Sequence, residues 1–216
     1  MAKKIEGYRV FESTNPRLDF SFLYPEVWDV REIRQKDYDE AIITGPRNKE
    51  DTYSLSLTIG VIPRQRKGRF STVDEFVTDY LQRSKGLPGF RKVFTARGVF
   101  ASCKATELMV SYVLSLPLNS LEAKETTILE RRIITAKGSN FYEIVYGAVE
   151  EDYYTFFEVF TNVVRTFTFR EERLKQVEEF HPLVTPTPAL ALREQTVDYE
   201  AKDQNSSLES LSADSQ

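Results

Sequence analysis

One histidine, His181, and one cysteine, Cys103, are the whole stock of imidazole and thiol in this chain. A nucleophilic triad needs a base held beside a serine, threonine or cysteine. His181 lies in a segment leading into a proline-rich stretch, where nothing holds its geometry. Zinc sites draw on several histidine or cysteine ligands, so metal chemistry of that kind falls away too. Cys103 reads as a small hydrophobe in a strand, and a lone cysteine forms no intramolecular disulfide. Carboxylates cluster twice, at Asp37, Asp39 and Glu40 in a loop and at Glu150, Glu151 and Asp152 at a helix start. Such groups can run glycoside hydrolysis or bind calcium. Neither cluster has the spacing of a calcium loop, and they read as a solvated turn and as complementation of a helix dipole. Carboxylate catalysis would gain only if two acids faced each other in a cleft. The nine glycines form no GxGxxG and no GxxxxGK phosphate cradle. The residues therefore name no catalytic, metal or cofactor position, and the chain reads as non-enzymatic.

The most suggestive polar stretch is Arg64-Gln65-Arg66-Lys67-Gly68-Arg69. Its cations Arg64, Arg66, Lys67 and Arg69 are the candidate partner contacts, suited to an acidic protein surface, a phosphate-bearing ligand or anionic lipid. The bland alternative is a solvated loop. With a net charge of -4 and a pI near 5.3, the chain lacks the basic field that sequence-independent nucleic-acid binding needs. Tyr24, Trp28 and Tyr38 near strand ends, with Tyr142, Tyr146 and Tyr154, are either core or an aromatic contact surface.

Elements able to position these residues follow from hydropathy periods. Tyr53, Leu55, Leu57, Ile59 and Val61 alternate with polar neighbours, the period of a half-buried strand. Leu18 to Tyr24 alternates similarly, with shorter strands from Trp28 to Ile33 and from Ala41 to Thr44, the latter ended by the turn signal Gly45-Pro46. A long strand runs from Thr106 to Pro117, with Glu107, Ser111 and Ser115 on its outer face. Thr127 to Ala136 and Phe141 to Ala148 form a hairpin through Lys137-Gly138-Ser139-Asn140. One helix carries Val73, Phe76, Val77, Tyr80 and Leu81 on a stripe, with Thr72 and Glu75 as a capping box. A second spans the stripe Tyr153, Phe156, Phe157, Phe160, Val163, Val164 and Phe167, with Glu150, Glu151 and Asp152 in its first turn. A stripe of that size covers a sheet.

Hydrophobic residues make up 41% and charged residues 29%, an ordinary globular mixture. One domain is expected over residues 1–169, a short charged helix over 170–181 and a disordered tail over 182–216, where Pro182, Pro186 and Pro188 give way to Ser, Glu, Asp and Gln. No stretch approaches the length of a membrane span. As the chain stands it reads as cytoplasmic, with a periplasmic or lumenal home if a leader has been removed.

Three stretches resemble the PsbP family and its wider fold group, which includes the Mog-type Ran-binding and DcrB-like proteins. Leu18 through Pro25 to Trp28 looks like that group's early strand and P-x-x-W turn. Tyr53 to Ile59, followed by Thr72-Val73-Asp74-Glu75-Phe76, looks like its strand and S/T-x-x-E-F helix. Asn140 to Ile144, then Phe156-Phe157 to Thr166-Phe167-Thr168-Phe169, looks like its closing strand, long helix and ending. The resemblance implies an α+β fold, an α/β/α sandwich whose central, mostly antiparallel sheet of about six or more strands is flanked by helices on both sides. It also implies a non-enzymatic accessory role, docking to a protein or membrane-associated protein complex. An extrinsic photosystem II subunit that helps retain calcium is one form of that role, and calcium enters as a cofactor through the resemblance only. No metal residue carries over, because no histidine lies within the domain. A carrier holding a small molecule or ion between sheet and helix is the alternative.

Overall fold

Alternating strands and two amphipathic stripes can bury their apolar sides only by stacking, and the computed structural model, which describes residues 7–64 and 70–170, shows how. The chain divides into two units, Met1–Val184 and Thr185–Gln216, and every described residue belongs to the first. The expected charged helix and tail after Arg170, and His181 with them, lie outside the described residues.

The strands are β1 (Tyr8–Glu12), β2 (Phe20–Pro25), β3 (Asp29–Arg34), β4 (Asp39–Arg47), β5 (Ser54–Pro63), β6 (Arg91–Phe100), β7 (Cys103–Leu116), β8 (Lys124–Lys137), β9 (Asn140–Val149) and β10 (Thr168–Phe169). The helices are α1 (Val73–Ser84), α2 (Glu150–Tyr153) and α3 (Phe157–Thr166). A seven-stranded sheet runs in the order β3-β4-β5-β9-β8-β7-β6, and a three-stranded one in the order β1-β2-β10. Every pairing is antiparallel, so the fold class is the α+β one expected.

Side chains alternate across the large sheet, which gives it two faces. Leu55, Leu57, Ile59 and Val61 of β5, Tyr142, Ile144 and Tyr146 of β9 and Ile133 of β8 pack with Val159, Phe160, Val163 and Val164 of α3 and with Phe20 and Phe22 of β2. On the opposite face Phe76 and Val77 of α1 meet Leu108, Val110, Ile134 and Phe141. α1 begins where the sequence says it should. Thr72 Oγ1 accepts the Glu75 amide at 3.2 Å, while Glu75 Oε2 accepts the Ser71 amide and hydroxyl at 2.6 and 2.9 Å.

Four expectations need correction. β4 does not stop at Gly45-Pro46 but runs through it to Arg47 with a register shift after Thr44. Gly45 is required by close approach, since a Cβ there would stand 2.9 Å from the Trp28 ring. The second helical stripe is two helices, broken at Tyr154–Phe156. Tyr153 packs inward against the Tyr146 ring, 5.0 Å away, with the Tyr146 hydroxyl donating to the Tyr153 carbonyl at 2.7 Å. β6 and β1 were not foreseen. Finally, Glu107 and Ser111 do not face solvent, because α2, α3 and the small sheet share the face they occupy.

Two outcomes follow. Phe160→Ala removes a fully buried ring and lowers unfolding free energy by about 3–5 kcal/mol in urea titration. Hydrogen bonds from the Ser71 amide and hydroxyl hold the Glu75 carboxyl below its usual value. A depressed carboxylate contributes stability above its unfolded value and loses it as pH falls through its folded value. Ser71→Ala therefore raises the Glu75 titration midpoint read by NMR and makes the first turn of α1 fray at higher pH; an unmoved midpoint would contradict the cap.

Candidate functional site

Arg64 is the one member of the basic segment among the described residues; Arg66, Lys67 and Arg69 lie outside them. It follows directly on β5, beside the β8–β9 turn. Its amide donates to the Ser139 carbonyl at 2.8 Å. Its guanidinium donates to the Gly138 carbonyl at 3.1 Å and the Ser71 carbonyl at 2.7 Å, and lies 5.3 Å from the Phe141 ring centroid. Gly138 permits this by taking φ +56° at the turn. Arg64 thus fastens the segment that leaves β5 to the residue that enters α1. Asp74, in the first turn of α1, pairs with Arg97 of β6 at 2.9 Å.

The carboxylate candidates separate. Asp39 is buried rather than solvated, taking the Asn15 side-chain amide at 2.8 Å with Arg17 at 3.6 Å. Its neighbour Glu40 points through the other face of β4, as adjacent strand residues must, so the two cannot act as a pair. Burial raises the Glu40 pKa, with Arg31 opposing. Glu150, Glu151 and Asp152 begin a helix of only four residues, which leaves little dipole to complement. Glu150 and Glu151 instead line a cleft of about 470 Å³ at the end of the sheet opposite Arg64, together with Glu50, Glu122, Glu125 and Lys124. Beside it the β7–β8 loop exposes Leu118 and Leu121. Among the described residues no three His, Cys, Asp or Glu side chains are placed to hold a metal ion. The aromatic candidates are mostly core: Trp28, Tyr142 and Tyr146 are buried, and Tyr154 alone of the set is exposed.

Sequence reasoning missed the two charge clusters inside the layers. On the α1 face Arg132 donates to Glu130 through Nε at 3.1 Å and Nη2 at 2.7 Å, and to Glu143 through Nη1. The Tyr80 hydroxyl of α1 donates to Glu130 at 2.7 Å, and the Arg132 guanidinium lies 4.0 Å from the Tyr80 ring centroid. Burial lowers the Arg132 pKa, but the charges of Glu143 and Glu130 overrun this and hold it above its usual value. Burial chiefly, with Glu130 beside it, raises the hydroxyl pKa of Tyr112. On the opposite face Arg131 pairs with Glu107, both almost wholly buried, and its guanidinium sits 4.9 Å from the Phe157 ring and 5.2 Å from the Phe94 ring. The available signal was Glu130-Arg131-Arg132 in mid-strand: with both faces covered, two charges must enter one layer and one the other.

This arrangement neutralises its interior charges against one another. Arg64 and Lys137 stand at one end of the sheet and the acid-lined cleft at the other.

No family model matches the chain, and no curated protein matches it. Among solved structures it is similar to the cyanobacterial PsbP of Synechocystis sp. PCC 6803, at 12% identity and a TM-score of 0.48 over 75% of this chain and 92% of that one. It is also similar to the Saccharomyces cerevisiae Ran-binding protein Mog1p, at 11% identity and a TM-score of 0.49 over 78% and 98%. LpqN of Mycobacterium tuberculosis, involved in cell envelope biogenesis, is similar at 13% identity and a TM-score of 0.47 over 76% of this chain and 91% of that one. PsbP and Mog1p fall in the fold group that the sequence motifs resemble.

Removing one partner of a buried ion pair costs about 3–5 kcal/mol. Arg132→Met strands Glu130 and Glu143 and lowers stability by that amount. Adding Glu130→Gln and Glu143→Gln restores more than half of it. Equal stability of the single and triple variants in urea would show that these groups do not form one cluster.

Proposed function

We propose that this chain is a non-enzymatic binding module that docks onto a protein or membrane-associated protein complex, meeting an acidic surface with the segment Arg64-Gln65-Arg66-Lys67-Gly68-Arg69. The observation that carries this reading is the clamp at Arg64. Three hydrogen bonds tie that residue to the β8–β9 turn and to Ser71. The two flanks of a six-residue cationic stretch are thereby fixed at one end of the sheet. Fixed flanks lower the ordering cost of recognition, and charges at a rim set the rate and orientation of docking more than its affinity.

The interior supports the non-enzymatic part of the reading. The two best-buried glutamates facing cations, Glu107 and Glu130, are engaged by Arg131 and Arg132, and burial raises the pKa of Glu107. Of the carboxylates singled out from the sequence, Asp39 and Glu40 stand on β4 away from the cleft that Glu150 and Glu151 line. A carrier pocket between sheet and α1 finds less support, since Phe70, Phe76 and Phe141 pack there edge-on or tilted with centroids 4.4 to 5.6 Å apart.

Arg64 and the other three cations now have separable roles. Replacing Arg66, Lys67 and Arg69 with Ser, leaving Arg64 in place, keeps the unfolding midpoint but weakens partner capture and flattens its salt dependence. Arg64→Ser lowers the local protection of the β8–β9 turn in hydrogen exchange. Unchanged capture by the triple variant would discard the assignment.

A further inference from the structure

Among the described residues β6 pairs with β7 alone, which leaves one side of a ten-residue strand open at the rim of the large sheet. An open edge is a row of unpaired amides and carbonyls, and proteins blunt it with charge, proline, bulges or shortness. The other rim, β3, is defended in this way: Asp29, Arg31, Glu32 and Arg34 put both signs on a six-residue strand. β6 is defended only at its start. Arg91 and Lys92 lead into a register shift before Phe94, after which the ladder to β7 is regular to Phe100. Over 94–100 the only charge is Arg97, and there is no proline.

The two faces of that run differ. Phe94, Ala96, Gly98 and Phe100 lie on the face shared with α3, and Phe94 and Phe100 join its core. Lys92, Thr95, Arg97 and Val99 lie on the α1 face. The whole of β6 contains no acid. Arg97 already holds Asp74, but both side chains are largely exposed, and such a pair contributes little and yields to a competitor.

We propose that β6 is a strand-addition site for an extended segment of a partner protein in which acidic and apolar residues alternate. Main-chain bonds to the open edge supply affinity. Acidic residues of the segment lie on the α1 side against Lys92 and Arg97, and apolar residues lie on the α3 side against Phe94, Ala96 and Gly98. The inference rests on the binding-module reading and adds the form of the partner's segment to it.

The test uses the whole chain and two octapeptides, one alternating valine with glutamate and one alternating valine with lysine. With the glutamate peptide, amide hydrogen exchange slows within 94–100, and fluorescence anisotropy shows it binding about tenfold more tightly than the lysine peptide, as two favourable cross-strand charge pairs turned unfavourable would give. Lys92→Glu with Arg97→Glu reverses the preference. Exchange unchanged over 94–100, protection confined to another strand, or equal binding of the two peptides overturns the proposal. The peptide comparison stands on the unaltered chain, so it holds if the double variant fails to fold. Because protection over 94–100 is read separately from any contact of the acidic peptide with Arg66, Lys67 or Arg69, a negative result here leaves the basic-segment assignment standing, and the triple serine variant can fail without touching this one.

Discussion

Two adjacent arginines in the middle of β8 have to be neutralised on opposite sides of one sheet, and most of the tertiary arrangement is consistent with that single demand. Arg131 enters the layer under α2 and α3, where Glu107 of β7 meets it and Phe157 lies over it. Arg132 enters the layer under α1, where Glu130, Glu143 and the Tyr80 ring close around it. Buried ion pairs of this kind seldom add net stability over an apolar filling. What they supply here is register. A slip of β8 by one residue would send Arg131 towards Tyr80, and would set Glu130 and Arg132 among the rings of α3.

The same demand positions the helices. α1 is amphipathic enough to dock anywhere apolar, but only one docking lets Tyr80 reach Glu130 while Phe76 meets Phe141. On the far side Tyr153 of α2 and Phe157 of α3 stack at 5.6 Å, with the Phe157 ring over Arg131. Apolar burial still supplies most of the favourable energy: Phe160, Val163 and Val164 are essentially inaccessible, and each such side chain contributes about 1.5–3 kcal/mol.

How much of this was legible in the sequence depends on which residues carried the signal. Leu55 to Val61 alternates because one face of β5 is core and the other is Ser56, Thr58 and Gly60, so the strand could be read directly. β6 could not, because a rim strand buries little: Phe94 and Phe100 are apolar on the inner face, but the register shift at residue 93 breaks the period between Lys92 and Phe94. Gly45-Pro46 misled for a different reason. Its glycine answers to the Trp28 ring, a contact with no trace in local sequence. Glu107 was taken as outward because a charge on an alternating strand usually faces water. That inference assumes one bare face, and it fails for a strand covered on both. Of the candidate contacts, the basic segment was plain in the sequence, while the clamp on Arg64 needed the β8–β9 turn to be brought beside it.

Arg64 and β6 are linked through the start of α1. Arg64 donates to the Ser71 carbonyl, Ser71 donates to Glu75, and Asp74 of the same turn holds Arg97 of β6. The first turn of α1 therefore joins the flank of the basic segment to the open rim of the sheet. A partner strand laid along β6 would bring its acids to Arg97 first and loosen Asp74 from it. The freed Asp74 carboxylate would then stand at the N-terminus of α1, where the helix dipole still favours it. Exchanging the internal pair for an intermolecular one thus costs little on the protein's side, because the displaced acid keeps a favourable position.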